Sequence, residues 1–295
     1  MSTTSSNPPA RRKLLVGLIG GGIQQSLTPG MHEEEGRQQG LALHYQLIDL
    51  DVSKVGNEKL PTLIEAAKLM GFAGLNITFP SKQAVIPLLD DVADDARAMG
   101  AVNTVVIRDG RAVGHNTDAS GWAWGFRRGL PDADLSRVVL LGAGGAGAAI
   151  AHAVLGMGAG HLVVVDREAA KAGELAAALA KAHGAARVSH STDPAAVVPA
   201  AKGIVHATPT GMLKLPGIPL DPKLLRRDLW VSEIVYSPIE TELLEAARAL
   251  GAKTVDGAGM AIGQAVGAFK LFTGLEPDPA RLDAHFRHLL AQRGL

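Results

Sequence analysis

Three polar stretches and one hydroxyl pair in the first half of the chain carry side chains suited to hold a small acid and move a proton. Asn76-Ile77-Thr78-Phe79-Pro80-Ser81-Lys82 sets a lysine just after a proline, and Pro80 reads as the first-turn proline of a helix. An ammonium in that turn opposes the helix dipole, so Lys82 is either a proton carrier near neutral pH or a solvated surface charge. Ala101-Val102-Asn103-Thr104 and His115-Asn116-Thr117-Asp118 are the other two stretches. Asn and Asp favour strand ends and turns on their own account, yet Asp118 could hold Lys82 in place while Asn103 donates to a ligand oxygen. Ser26-Leu27-Thr28-Pro29 follows glycines 20–22. Its two hydroxyls either bind a carboxylate at a helix start, or Thr28 simply caps that helix.

A second chemistry lies further along. Val138 to Leu141 leads into Gly142-Ala143-Gly144-Gly145-Ala146-Gly147, and Asp166 closes the next apolar run, His161 to Val165. Glycines at the first, third and sixth positions after a strand suit a tight turn, close approach to a pyrophosphate and close helix packing. An acid roughly twenty residues on is where a ribose contact belongs. The competing reading is a merely tight strand-to-helix turn.

The elements that must position these groups follow from periodicity. Residues 14–19, 44–50 and 74–78 read as strands, and 29–40 and 61–70 as helices. Residues 102–107 and 111–114 read as a hairpin around Asp109-Gly110, a dipeptide that supplies positive φ. Counting outward pairs Arg108 with Arg111 and Asn103 with Asn116, and puts Asp118 diagonal to Asn103 at roughly 7–8 Å. His115 then points away from Asn116 and Asp118 and reads as structural. Six further strands are expected at 138–141, 161–166, 187–189, 203–207, 230–236 and 253–255, and two C-terminal helices at 259–272 and 277–295. The fold class is α/β. An N-terminal α/β substrate domain with a mostly parallel sheet precedes a Rossmann-like, doubly wound dinucleotide domain, and the C-terminal helices return to the first domain, leaving a cleft between the two. The boundaries are 1–13 for a disordered tail, 14–117 with 258–295 for the substrate-binding catalytic part, and 118–257 for the dinucleotide part. His206 reads as a lining residue, and Met212, Tyr236 and Met260 as cleft wall or core.

Composition narrows the function classes. Lys plus Arg and Asp plus Glu both number 29, so the chain lacks the basic field of a nucleic-acid or membrane-surface protein. With 0 Cys there are no disulfides, thiolate ligands or thiol nucleophiles. The 10 histidines show no helical ligand spacing, so no metal is expected. No apolar run is long enough for a membrane span, and the Ser-, Pro- and Arg-rich start lacks a signal-peptide core. A cytoplasmic enzyme, monomeric or homodimeric, is the expectation.

Taken in order, Ser26-x-Thr28-Pro29, Asn76-x-Thr78-x-Pro80-x-Lys82, Gly100-Ala101-Val102-Asn103-Thr104, Asn116-Thr117-Asp118, Gly142-Ala143-Gly144-Gly145 and Asp256-Gly257-x-Gly259-Met260 with Gln264 resemble the shikimate dehydrogenase family over all but the tail. The likeness is greatest to its NAD-preferring quinate/shikimate dehydrogenases. The resemblance implies reversible hydride transfer between C3 of quinate or shikimate and a nicotinamide. It makes Lys82 and Asp118 the catalytic pair, gives the substrate carboxylate to Ser26 and Thr28, and gives its hydroxyls to Thr78, Asn103 and Gln264, with Tyr236 nearby. Gly142, Ala143, Gly144, Gly145, Ala146, Asp166, Arg167, Thr208 and Gly257 would line the dinucleotide. Thr28 stands where shikimate-specific relatives usually have Ser, which makes quinate a plausible second substrate. Asp166-Arg167-Glu168 replaces the Asn-Arg-Thr of NADP users, so NAD is expected, with Arg167 and Lys171 admitting NADP weakly. The alternatives are a shikimate-specific NADP enzyme, a non-catalytic ligand sensor of the same fold, and a dehydrogenase for another hydroxy or amino acid.

Overall fold

Two six-stranded sheets arise from the alternating pattern in a computed structural model that describes residues 11–293. In the first sheet, β1 (Lys13–Gly20) pairs in parallel with β2 (Ala42–Asp49) and β3 (Gly74–Ile77). Helices α1 (Thr28–Gln38) and α2 (Leu60–Leu69) make the crossovers that parallel neighbours need. A short strand β4 (Asp91–Val92), helix α3 (Asp94–Met99) and the hairpin β5 (Thr104–Arg108) and β6 (Arg111–His115) complete it. The order is β2-β1-β3-β5-β6-β4, antiparallel at β3/β5 and β5/β6. Asp109 and Gly110 have φ of 50° and 75°, as the two-residue hairpin turn requires, and Arg108 faces Arg111.

Helix α4 (Asp118–Gly129) leads into the second sheet: β7 (Arg137–Leu141), β8 (His161–Val165), β9 (Val188–Ser191), β10 (Gly203–His206), β11 (Trp230–Glu233) and β12 (Thr254–Val255). All pairs are parallel, in the order β12-β11-β10-β7-β8-β9. Helices α5 (Gly145–Gly156), α6 (Ala169–His183), α7 (Pro194–Val197) and α8 (Glu242–Ala249) lie between the strands in sequence. Val138 and Leu140 pack toward Trp122, Ile150 and Val154, while Val139 and Leu141 pack toward Val198, Leu243 and Leu244. Both faces are therefore covered, which is why the strand is apolar without alternation. The order reverses between β7 and β10, and a crevice forms at the C-terminal ends of such strands.

Helices α9 (Ala258–Thr273) and α10 (Pro279–Gln292) return to the first sheet. Ala268 and Phe272 pack on Val16 and Leu18, and Arg281 clamps α10 to α1 with two bonds of 2.6 Å to the buried Glu35. The two halves are joined where α4 crosses α9. A Cβ on Gly121 would lie 2.4 Å from Gln264 N, one on Gly125 would lie 2.7 Å from the carbonyl carbon of Gly259, and one on Gly263 would lie 2.6 Å from Gly121 Cα. Glycines four apart on both helices thus let the backbones touch.

Several sequence expectations shift. The first ten residues of the expected tail lie outside the described residues; Lys13 already belongs to β1, and Arg12 donates to Thr273 O at 2.9 Å. Residues 294–295 of the last expected helix likewise lie outside the described residues. Pro80 opens no α-helix: Val102 N donates to the Lys82 carbonyl at 2.9 Å, a tertiary bond in place of the next helical one, and residues 82–85 form a turn ahead of a 3-10 helix at Ile86–Leu88. The dipole argument for Lys82 therefore falls. Thr28 is the first residue of α1 rather than its cap, and Leu27 occupies the cap position without a side-chain bond. The strand expected to reach 236 stops at Glu233, whose carboxylate captures the next two backbone amides, Ile234 N at 2.8 Å and Val235 N at 2.9 Å.

Two outcomes follow. Gly121→Ala drives a methyl into backbone that cannot give way, and should cost about 1–3 kcal/mol in urea unfolding. Gly156→Ala, with nothing within 4 Å, should be neutral or stabilising by up to about 1 kcal/mol; equal effects would refute the close-contact account. The second concerns His32, buried among Tyr45, Phe269 and Phe272 with neither ring nitrogen hydrogen-bonded. Burial lowers its pKa to about 3, against an opposing pull from Glu35. The unfolded chain then binds the extra proton between roughly pH 6.5 and 3, so stability is present above that window and lost as pH falls through it. Between pH 6.5 and 5 the wild type should lose about 2 kcal/mol more than His32→Phe; parallel pH profiles in chemical denaturation would contradict it.

Candidate active site

The two sheets face one another across Lys82 and Asp118. Lys82 Nζ lies 2.5 Å from Asp118 Oδ2, and Lys82 Cδ is 3.6 Å from where a Cβ on Gly145 would stand at the start of α5. Lys82 thus comes from a turn of the first sheet and touches the glycine loop of the second. Asp118 Oδ1 accepts from Asn103 Nδ2 at 2.8 Å. Asn103 is itself fixed: its Oδ1 accepts from Thr117 N at 2.8 Å and from Thr104 Oγ1 at 2.9 Å. Asn76 donates to Thr104 Oγ1 at 3.1 Å and accepts from the buried Tyr45 hydroxyl at 2.7 Å. Burial pushes the Tyr45 hydroxyl well above its ordinary range.

Asp118 meets Asn103 by a route other than the strand diagonal. The strand β6 ends at His115, Asn116 Oδ1 accepts from Asp118 N at 2.9 Å, and Asp118 opens α4. A carboxylate in a first turn is also where the helix dipole favours it. His115 is half-buried, and burial lowers its pKa.

The loop from Gly20 to Thr28 leaves the C-terminal end of β1 beside Thr78, whose backbone N donates to Ile19 O at 2.9 Å. Asp49 shapes that loop by accepting from Gly22 N and Ile23 N at 3.0 Å and Gln24 Nε2 at 3.1 Å. Burial pushes the Asp49 carboxyl up, but the bonds from Gln24, Gly22 and Asp51 outweigh it and hold it below the usual carboxylate range. Ser26 Oγ accepts from Thr28 N at 3.3 Å. Tyr236 packs in the cluster that holds Leu27, Met31 and Phe286, where burial raises its hydroxyl pKa. Gln264 lies on α9, its amide donating to Ala261 O at 3.0 Å.

The glycine loop combines close packing with an open helix start, the features a phosphate-bearing ligand requires. Gly142 has φ of 108°, and a Cβ on Gly147 would meet Gly142 O at 2.1 Å, so both must be glycine for the strand and helix to pack. Gly144 has nothing within 4 Å of a built Cβ, leaving its outer side open in front of the unpaired amides of Gly145 and Ala146. Asp166 closes the end of β8: its Oδ2 accepts from Ala143 N at 2.9 Å and its Oδ1 from Glu168 N at 3.0 Å. Arg167 is exposed, while Lys171 is tied to Glu168 at 2.6 Å. Thr208 stands beside Gly142, its Cγ2 3.0 Å from a built Cβ there, and Gly257 packs on the carbonyls of Ile234 and Val235.

Some residues that shape the site were not singled out by sequence reasoning. Asn76 and Thr104 lie within polar stretches whose spacing gives them no role, and the signal for Asp49 and Glu233 is an acid at the end of a strand. His206 does not line the cleft: it is 0% exposed and bonded to Glu233. Among the described residues no group of three or more His, Cys, Asp or Glu could hold a metal ion. No described helix is long and apolar enough to cross a membrane.

A doubly wound sheet with such a loop, set against a Lys–Asp pair, defines a nicotinamide-dinucleotide oxidoreductase of two facing α/β halves. A family model described as the shikimate dehydrogenase substrate binding domain matches residues 18–105. The shikimate dehydrogenase (NADP(+)) of Streptomyces avermitilis is 59% identical over 278 residues, covering 93% of this chain and 95% of that one. The quinate/shikimate dehydrogenase (NAD(+)) of Corynebacterium efficiens is 51% identical over 280 residues, covering 94% and 98%. The solved structure of quinate dehydrogenase from Corynebacterium glutamicum in complex with NAD superposes with a TM-score of 0.88 at 49% identity, covering 94% and 100%. The chain belongs to the shikimate dehydrogenase family.

Proposed function

We propose that the protein transfers a hydride reversibly between C3 of quinate or shikimate and NAD, with the Lys82–Asp118 pair handling the hydroxyl proton. The observation that carries this reading is the pair itself: a 2.5 Å contact with Lys82 17% and Asp118 5% exposed. Asp118 holds Lys82 through one carboxylate oxygen and accepts from Asn103 through the other. Lys82 is the more exposed of the two, which supports it as the member that touches a ligand hydroxyl. As a neutral amine it accepts the alcohol proton while the hydride departs, and as an ammonium it polarises the ketone in the reverse direction. The bound nicotinamide supplies the hydride acceptor.

The substrate half would be 14–117 with 258–295, and the dinucleotide half 118–257. Ser26 and Thr28 hold the substrate carboxylate at the start of α1, and Thr78, Asn103 and Gln264 take its hydroxyls, with Tyr236 closing the far side. The threonine methyl at position 28 reshapes the wall near C1, where quinate carries a hydroxyl that shikimate lacks. On the dinucleotide side, the open face at Gly144 and the amides of Gly145 and Ala146 fit a pyrophosphate. The Asp166 carboxylate fits a ribose diol and repels a 2′-phosphate. Glu168 draws Lys171 into an ion pair, which leaves Arg167 as the exposed cation nearest Asp166 in sequence. These features favour NAD, with weak NADP use.

Lys82→Ala should lower kcat by about 10²–10⁴ with an unchanged circular dichroism spectrum; near wild-type turnover would remove the base assignment. A kinetic comparison of quinate and shikimate with NAD and NADP should show turnover of both acids and a higher kcat/KM with NAD. Asp166→Asn should narrow the gap by about tenfold, a loss near 1.4 kcal/mol of discrimination. A wild-type preference for NADP would overturn the cofactor reading.

A further inference from the structure

A buried run of hydrogen bonds crosses the first sheet from Tyr45 on β2 to Asp118 at the start of α4, and two backbone groups fix its direction. Thr117 N can only donate, and it donates to Asn103 Oδ1 at 2.8 Å. The Asn103 amide therefore turns its Nδ2 toward Asp118 Oδ1, at 2.8 Å. The Asn103 carbonyl can only accept, and it takes Asn76 Nδ2 at 3.2 Å. Asn76 then presents Nδ2 to Thr104 Oγ1 at 3.1 Å and Oδ1 to the Tyr45 hydroxyl at 2.7 Å. An amide oxygen only accepts, so Tyr45 is the donor. Thr104 Oγ1 receives from Asn76, which leaves its own hydrogen for Asn103 Oδ1 at 2.9 Å. Each donor thus points toward Asp118, and no step of this assignment depends on where the proton of the Lys82–Asp118 pair sits. Tyr45, Asn76, Thr104, Asn103 and Asp118 are all buried.

We propose that Tyr45 and Thr104 are positioning residues for the Lys82–Asp118 pair: with Asn76 and Asn103 they form a one-way chain of donors that fixes the Asp118 carboxylate and draws off part of its charge. Hydrogen bonds that donate in sequence polarise one another, and donors on a carboxylate stabilise its ionised form. A carboxylate so stabilised pulls less strongly on the Lys82 ammonium. That eases loss of the proton, which the oxidation direction requires. Both residues act through Asn103. The inference deepens the dehydrogenase reading and rests on it.

The test is the pH dependence of kcat/KM for oxidation of quinate and shikimate with NAD, alongside KM for NAD and thermal unfolding of each variant. Thr104→Val keeps a branched side chain on the strand and removes the hydroxyl. It should lower kcat about tenfold, in keeping with one lost hydrogen bond, leave KM for NAD near the wild-type value, and move the acid limb of the profile to higher pH by about half a unit. Thr104→Ser should recover most of both losses. Tyr45→Phe removes the outermost donor and should lower kcat about threefold, with a smaller shift of the limb in the same direction. Added to Thr104→Val it should change neither further, because the chain is already cut. If Thr104→Val does not fold, Tyr45→Phe carries the test alone. A wild-type profile in the variants, a loss of kcat with an unmoved limb, or losses that multiply in the double variant would overturn the proposal alone. No turnover of either acid by the wild type would overturn the dehydrogenase reading and this proposal with it.

Discussion

A carboxylate that is 5% exposed is costly to leave without partners, and the contact between Lys82 and Asp118 is what the surrounding structure is arranged to hold. Leaving one partner of such a pair buried and alone costs about 3–5 kcal/mol. Three constraints place Asp118: the start of α4, whose dipole favours an acid there; the Asn116 side chain on its backbone amide; and the Asn103 amide on its second oxygen. Asn103 is fixed in turn by Thr117 and Thr104, and Asn76 links that group to Tyr45 on the far strand of the first sheet. Lys82 is placed by the bond between its own carbonyl and Val102 N. The pair therefore inherits its geometry from the hairpin and from the sheet beneath it.

The crossing of α4 and α9 carries that geometry to the other half of the molecule. Asp118 sits one turn before Gly121, where the two backbones touch, and α4 then runs on into β7. Any side chain at the crossing would separate the helices and move the carboxylate relative to Lys82 and the glycine loop. Close backbone approach, rather than charge, is what sets one sheet against the other here. At the opposite wall Gly142 and Gly147 do the same for β7 and α5.

Much of this was legible from residue types. The glycine loop between two apolar runs located the second sheet's crevice, and Asp109-Gly110 fixed the hairpin register that brings Asn103 toward Asp118. Lys82 was found in the right company for the wrong local reason, because the bond that ends its would-be helix comes from Val102, a partner no local pattern indicates. The α4–α9 contact was written in Gly121, Gly125, Gly259 and Gly263, but in a chain with 35 glycines spacing alone does not separate a helix crossing from a turn. His206 looked like a cleft residue because its neighbours are. Only the register with Glu233, set by the parallel pairing of distant strands, shows that it is sealed in.

The proposed reaction makes one demand that no arrangement of binding contacts alone can satisfy: the hydrogen on C3 must pass directly to the nicotinamide while the hydroxyl proton leaves through Lys82. Quinate or shikimate deuterated at C3, incubated with NAD and the protein, distinguishes this at once when the reduced dinucleotide is read by NMR. The account predicts deuterium at C4 of the nicotinamide, on one face only, and none released to water. Deuterium appearing in solvent, or an unreduced dinucleotide, would contradict it.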